Sequence, residues 1–192
     1  ISPVDGVQVS FHDAGHILGS ASLHVLLGHG GHPRRLVFSG DLGMPDRPVL
    51  QDPSPPPATA DVLLIESTYG NRLHRPMPET LDEIVAAFER TRAAGGNLII
   101  PAFAVGRTQE IIFLLADLVR RGRLSPLKVY VDSPMASRAT EITMAFPGLL
   151  DDETLDLAAW LKSHPKKMSI EFVSDAERSK QLNEIRHGAV II

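Results

Sequence analysis

Three short segments of the sequence each place a polar side chain among glycines or small residues after an apolar run. They hold His16 in Gly-His-Ile-Leu-Gly-Ser, Asp41 in Ser-Gly-Asp-Leu-Gly and Glu66 in Glu-Ser-Thr-Tyr-Gly. Glycine lets the backbone turn sharply, so the three side chains could project into one cleft from consecutive strand ends. Imidazole and carboxylate are zinc donors where thiolate is absent. Each residue alone is more often a turn or capping residue, and their ordered recurrence favours a shared site.

The composition narrows the possible chemistry. The 192 residues contain no cysteine, which excludes disulfides, thiolate metal sites and cysteine nucleophiles. The formal charge of −4, from 19 basic and 23 acidic residues, argues against coating nucleic acid by bulk charge. No apolar run approaches the roughly 20 residues that span a bilayer, so we expect no membrane association. The absence of an initial Met and the apolar last residues suggest a fragment.

Short basic clusters provide only local positive charge. We interpret them as solvated surfaces, because such runs commonly end helices or decorate loops. The clusters are Arg72, His74 and Arg75; Arg120, Arg121 and Arg123; and Lys166 with Lys167.

The elements that must position the polar residues differ between the two parts of the sequence. The first part favours strands separated by turns, two of them with the short apolar pattern of strands buried on both faces. The strands are expected at 7–11, 21–27, 36–39 and 62–65, and the last two are the buried ones. The proline-rich stretch 52–57 is expected to be a stiff surface connection.

From Thr80 the apolar period becomes helical and alternates with strands. Capping-box patterns, Thr80 with Glu83 and Ser174 with Glu177, predict two helix starts. Further helices are expected at 108–121, 136–145 and 152–162, and strands at 98–103, 128–132, 170–173 and 189–192.

The sequence therefore predicts an α/β chain in which a β-rich segment, 1–70, precedes a β/α segment, 71–192, with a mainly parallel sheet. Ligands of such sheets usually lie beyond the carboxyl ends of the strands. In this sequence those positions are 101–103 and 132–134.

Five motifs carry a resemblance to a known family, in the family's order and over nearly the whole chain. They are DAGHILGSA at 13–21, FSGDLG at 38–43, ESTYG at 66–70, PAFAVGRTQE at 101–110 and DSPMA at 132–136. Together they resemble the β-CASP branch of the metallo-β-lactamase superfamily, which includes bacterial and archaeal ribonucleases and the eukaryotic pre-mRNA 3′-end endonuclease. The resemblance implies part of a metallo-β-lactamase domain at 1–70, followed by most of a β-CASP domain at 71–192.

The resemblance also implies roles for the three polar residues. His16 would ligate one of two zinc ions, and Asp41 would bridge both. Glu66 matches the acidic residue that opens the β-CASP motifs, and it is expected to hydrogen-bond a histidine further along the chain. In the family that histidine is the presumed proton donor to the leaving oxygen.

The sequence departs from the family pattern at the other ligand positions. The signature His-x-His-x-Asp-His is absent, and the two later β-CASP histidine motifs are expected beyond Ile192. A dinuclear site of this kind needs about six protein donors, of which two are identified. We therefore expect these residues alone to bind metal weakly and to be inactive. Among the other histidines only His12, four residues before His16, is a weak further candidate.

Arg107, Ser133 and Ser137 are candidates for holding substrate phosphates in the cleft between the two regions. Arg107 stands where a predicted helix begins, which suits an anion, although pairing with Glu110 is at least as well supported. Aromatic side chains beside strand ends can stack on bases, but such residues are more often part of a core. That expectation covers Tyr69 and Phe103.

The function that these expectations favour is metal-dependent hydrolysis of single-stranded RNA by the intact protein, in the cytoplasm, with a homodimer possible. Three alternatives stay open: a DNA-directed β-CASP nuclease, a catalytically silent scaffold of a nucleic-acid-processing complex and a nucleotide-binding β/α module. Retention of His16, Asp41 and Glu66 disfavours the scaffold. The nucleotide-binding module is disfavoured because neither G-x-G-x-x-G nor G-x-x-x-x-G-K-[ST] occurs.

Overall fold

The computed structural model describes residues 1–28, 31–57 and 59–192. The chain forms two compact units, Ile1–Leu73 and His74–Ile192. Each unit has its own sheet. The family-domain boundaries 1–70 and 71–192 stay a prediction.

The first unit is built on a four-stranded mixed sheet in the order β1-β2-β3-β4. The strands are β1 (Val7–Asp13), β2 (Ala21–Leu27), β3 (Arg34–Phe38) and β4 (Val62–Leu64). The first three pair antiparallel, as successive strands joined by short turns do, whereas β4 runs parallel to β3. The parallel pair needs a long return connection, and the proline-rich stretch lies within it.

The predicted burial of β4 on both faces is wrong. The side chains of residues 62–65 are between 46% and 61% exposed, and β4 is the edge strand of the described sheet. In β3 only Val37 is buried. An apolar run reports a preference for burial, but actual burial also requires elements that cover the strand.

The second unit confirms the predicted parallel sheet. Its order is β5-β8-β6-β7, and every neighbouring pair is parallel. The strands are β5 (Leu98–Ile99), β6 (Leu127–Val131), β7 (Met168–Phe172) and β8 (Ala189–Ile191). The helices are α1 (Met77–Ala93), α2 (Arg107–Arg120), α3 (Pro134–Met144), α4 (Asp152–Ser163) and α5 (Ala176–Leu182), with a single 3₁₀ turn at Pro147–Leu149.

The core of this unit lies around α2 and the central strands. Leu115 and Leu118 of α2 are buried, as are Val129 and Val131 of β6 and Val190 of β8. A helix whose apolar face packs against buried apolar side chains of the central strands is the arrangement expected for a parallel β/α layer. None of the described helices is long and apolar enough to cross a bilayer.

The first predicted capping box does not form. The helix α1 begins at Met77 with Pro76 at the N-cap, so Thr80 already lies within its first turns. Pro78, the second residue of the helix, suits this start, because the backbone N–H that proline lacks would have no partner within the helix. The carboxylate of Glu83 pairs with Arg75 instead of a helix cap.

The second capping box is displaced by one residue. Asp175, not Ser174, caps α5, because its carboxylate accepts the backbone N–H of Arg178 at 2.8 Å. Glu177 pairs with Lys180 on the helix surface. Aspartate is at least as good an N-cap as serine, and the local pattern alone does not choose between neighbours.

The packing around α2 gives a stability prediction. Leu118→Ala should lower the free energy of unfolding of the second unit by about 2–5 kcal/mol, because it removes a fully buried side chain and leaves a cavity. Guanidinium denaturation followed by far-ultraviolet circular dichroism measures the change. The control Leu73→Ala, at a side chain 98% exposed, should stay within about 0.5 kcal/mol. Equal effects of the two substitutions would contradict this assignment of the core.

Candidate active site

His16 lies on a loop between β1 and β2 that is closed by its own hydrogen bonds. The Ala14 N–H donates to the Ser20 carbonyl at 3.1 Å. The Ser20 hydroxyl oxygen accepts the N–H groups of His16 at 3.1 Å and of Ile17 at 3.3 Å. These contacts satisfy the backbone of the loop while the His16 side chain stays exposed. The imidazole is therefore held on a defined backbone and is accessible.

The loop that carries Asp41 touches the His16 loop through backbone atoms. The Gly43 N–H donates to the Ala14 carbonyl at 2.7 Å. A Cβ atom placed on Gly43 would stand 1.9 Å from the carbonyl oxygen of Gly15 and 2.8 Å from the His16 nitrogen. Only glycine at position 43 permits this approach.

Ser39 joins the Asp41 loop to the segment that begins at Glu66. Its side chain is buried at 5% exposure, and its hydroxyl donates to the Gly40 carbonyl at 2.7 Å. The same oxygen accepts the backbone N–H of Glu66 at 3.0 Å. The Ser39 carbonyl also accepts the Ser22 hydroxyl at 2.8 Å, so β2, the residue after β3 and Glu66, two residues after β4, are tied at one end of the sheet.

The Glu66 carboxylate accepts the backbone N–H of Leu42, the residue after Asp41. This bond, followed by a hydrogen bond from Thr68, holds the pKa of Glu66 below its ordinary value, although partial burial opposes the shift. The charge of His16 lowers the pKa of Glu66 further. Glu66 is therefore an ionised acceptor at neutral pH, and it fixes the Asp41 loop.

The structure thus brings the loops of His16, Asp41 and Glu66 into direct contact. The exposed imidazole and carboxylate fit two positions of a zinc centre by the chemistry of their donors. Within the described residues no group of three or more histidines or acidic residues is arranged to hold a metal ion. The assignment of His16 and Asp41 as ligands stays a prediction.

Sequence reasoning did not identify two contributors to this site: the hydroxyl of Ser39 and the backbone N–H of Leu42. Both lie within two residues of Asp41, which the sequence did single out, and both take part in hydrogen bonds with backbone groups or through them. A serine at a strand end followed by glycine was the available signal, because a small hydroxyl can bond local backbone groups there.

The residues expected to bind phosphate are engaged in structural contacts. Arg107 forms an ion pair with Glu110, which is the alternative that the sequence supported at least as well. Ser133 caps α3 by accepting the Ala136 N–H at 3.1 Å, and the Ser137 hydroxyl donates to the Ser133 carbonyl at 2.9 Å. Their role in substrate binding stays a prediction, and these contacts orient α3.

Burial decides the expectation for the two aromatic residues, and a ring contact describes the surroundings of His12. Tyr69 and Phe103 were expected in a core, and this is wrong, since their side chains are 54% and 84% exposed. The His12 ring stacks on His24 with centroids 3.9 Å apart. Burial, His12 and then Arg35 lower the pKa of His24, so this pair favours the neutral form of that imidazole.

One mixed sheet and one all-parallel sheet with helical crossovers define the class: an α/β protein with a polar site on the strand-end loops of its mixed-sheet unit. Residues 108–192 match the family model of the Beta-Casp domain. Over these residues the chain belongs to the Beta-Casp domain family.

The similar proteins are described as nucleases or termination factors. Ribonuclease TTHA0252 of Thermus thermophilus is 39% identical over 186 residues, which are 97% of this chain and 42% of that protein. The RNase J-like protein of Methanocaldococcus jannaschii is 33% identical over 144 residues, 74% of this chain and 33% of that protein. Transcription termination factor FttA of Pyrococcus abyssi is 35% identical over 152 residues, 78% of this chain and 22% of that protein. The chain therefore spans less than half the length of these relatives.

The contact between the first two loops predicts a specific glycine requirement. Gly43→Ala should destabilise the first unit by about 1–3 kcal/mol, because the added methyl group forces two backbones apart. Urea denaturation of the wild-type and variant proteins measures the loss. Gly31→Ala is the matched control, since a Cβ there meets no atom of the described residues within 4 Å. A Gly43 variant as stable as the Gly31 variant would mean that the loops do not meet as described.

Proposed function

We propose that the protein to which this chain belongs is a zinc-dependent ribonuclease that hydrolyses phosphodiester bonds of single-stranded RNA. The observation that supports this most is the direct contact of the three polar loops, through the Gly43 to Ala14 and the Leu42 to Glu66 hydrogen bonds. The names of the relatives, a ribonuclease and an RNase J-like protein, favour RNA as the substrate.

His16 and Asp41 would hold the metal in this proposal, with further donors completing the centre. Metal ions bound there would lower the pKa of the attacking water and neutralise charge on the phosphate. The contribution of this chain is to keep the two donor loops at a fixed separation before substrate binds. Because Gly43 and Ala14 are joined by backbone atoms, that separation does not depend on a flexible side chain.

Glu66 is proposed as a positioning residue and not a ligand. Its carboxylate already accepts the Leu42 N–H, which fixes the residue next to Asp41. Its lowered pKa keeps the carboxylate charged at neutral pH. It can therefore also accept a hydrogen bond from the N–H of a histidine and orient that imidazole towards the leaving oxygen. A cytoplasmic location and a homodimer stay predictions.

The role of Asp41 is tested by Asp41→Ala in the protein expressed from its complete reading frame. Cleavage of a labelled single-stranded RNA with zinc present should fall to below about one hundredth of the wild-type rate, because a bridging carboxylate is lost. Asp156→Ala, at an exposed position on α4, should retain the wild-type rate. Undiminished cleavage by the Asp41 variant would remove this residue from the centre.

The role of Glu66 is separated from metal binding by Glu66→Gln. Turnover should fall by about 10- to 100-fold, since a neutral amide holds a charged imidazole less strongly than a carboxylate does, while the zinc content stays at the wild-type level. Elemental analysis of the purified protein and steady-state kinetics on the same preparation give the two quantities. Glu153→Gln on the surface of α4 is the control. Zinc loss in step with activity would identify Glu66 as a ligand and refute the positioning role.

A further inference from the structure

The loop between β5 and α2 carries a phenylalanine, Phe103, whose side chain is largely exposed. Phe103 is 84% exposed, and Val105, two residues on, is 44% exposed. Arg107 follows at the start of α2, with its side chain 56% exposed. Full burial of a phenylalanine side chain is worth about 1.5–3 kcal/mol relative to exposure, so folding gains little from this ring.

The backbone beneath Phe103 is fixed, although its ring is exposed. The Phe103 carbonyl accepts two hydrogen bonds from Thr108, one from its backbone N–H at 3.1 Å and one from its hydroxyl at 2.9 Å. The next residue, Ala104, packs against a buried cluster that joins α2, β6 and α3. The Ala104 carbonyl also accepts the Gln109 side-chain amide at 3.2 Å. The ring is therefore presented by a well-supported loop.

A second exposed apolar side chain stands on the neighbouring helix. Met135, in the first turn of α3, is 67% exposed. Gln109 ties α2 to α3, because its amide also donates to the Thr140 hydroxyl at 2.8 Å. Phe103 and Met135 follow the carboxyl ends of β5 and β6, which is the edge where ligands of parallel sheets are generally bound.

We propose that Phe103 is a stacking platform for a nucleobase of single-stranded RNA, with Arg107 serving the adjacent backbone. This inference rests on the proposed ribonuclease function, and it identifies a substrate contact in the second unit. A phenylalanine ring offers an apolar face that matches the face of every base, so the contact is independent of sequence. Arg107 pairs with Glu110, but its side chain is 56% exposed, so it also offers positive charge to a phosphate of the RNA.

The test measures binding without catalysis. Fluorescence anisotropy of a labelled single-stranded RNA, in EDTA, gives the dissociation constant of each variant. Phe103→Leu should weaken binding about 5- to 150-fold, the range expected for loss of one stacked base, and Phe103→Trp should restore it. Phe146→Leu is the matched control, since Phe146 is also exposed but follows the other end of α3. It should bind as the wild-type protein does.

A second readout reports the base itself. RNA that carries 2-aminopurine should lose fluorescence on binding to the wild-type protein and to Phe103→Trp, but much less with Phe103→Leu. RNA with abasic residues should bind equally to the wild-type protein and to Phe103→Leu, because no base is left to stack.

The outcomes separate this inference from the proposed function. Unchanged RNA binding by Phe103→Leu overturns the stacking platform, and so does a change confined to the sedimentation coefficient, which would mark a contact between proteins. A wild-type protein that binds RNA but does not cleave it with zinc overturns the ribonuclease proposal and leaves the binding test of Phe103 decisive. A wild-type protein that binds no RNA overturns the stacking platform.

Discussion

The backbone hydrogen bond from Gly43 to Ala14 is the constraint on which the candidate site depends. It brings two loops so close that the space for a side chain at Gly43 is already filled by the carbonyl group of Gly15. A contact between main chains has no rotamers to lose, so it fixes distance more strictly than a side-chain bridge would. The separation of the His16 and Asp41 backbones results directly from it.

Hydrogen bonds at Ser39 and Glu66 also fix the orientation of the Asp41 loop. The buried Ser39 hydroxyl is both donor and acceptor, and it serves the Asp41 loop and the Glu66 backbone at the same time. The Glu66 carboxylate then returns to the Leu42 N–H. The Asp41 loop is thus bonded to the His16 loop on one side and to the Glu66 segment on the other, so a displacement of one loop strains bonds to the next. Such linkage favours preorganised acid–base and metal chemistry, where small displacements are costly.

The sequence predicted much of this arrangement because the relevant signals were local. Glycines around Asp41 marked a sharp turn, and the apolar alternation from 21 to 27 gave the bounds of β2. The failures came where a longer-range fact decides. The burial of β4 depends on the elements that pack beside it and over it, and the residues of the strand do not determine where those elements lie. The helix α1 begins after Pro76 and has Pro78 in its first turn, although Thr80 also fits a capping pattern.

Phe103 is a second residue whose burial its local sequence does not determine. A strand-end aromatic is ordinarily a core residue, so the sequence alone favoured burial. The structure instead anchors its carbonyl through Thr108 and leaves the ring exposed. The two units consequently differ in the interactions that they offer a substrate. The first has charged and polar groups on contacting loops, and the second presents an apolar ring on a fixed loop. In an RNA-cleaving protein, changes in the first would act on the rate of bond breaking, whereas changes in the second would act on substrate affinity.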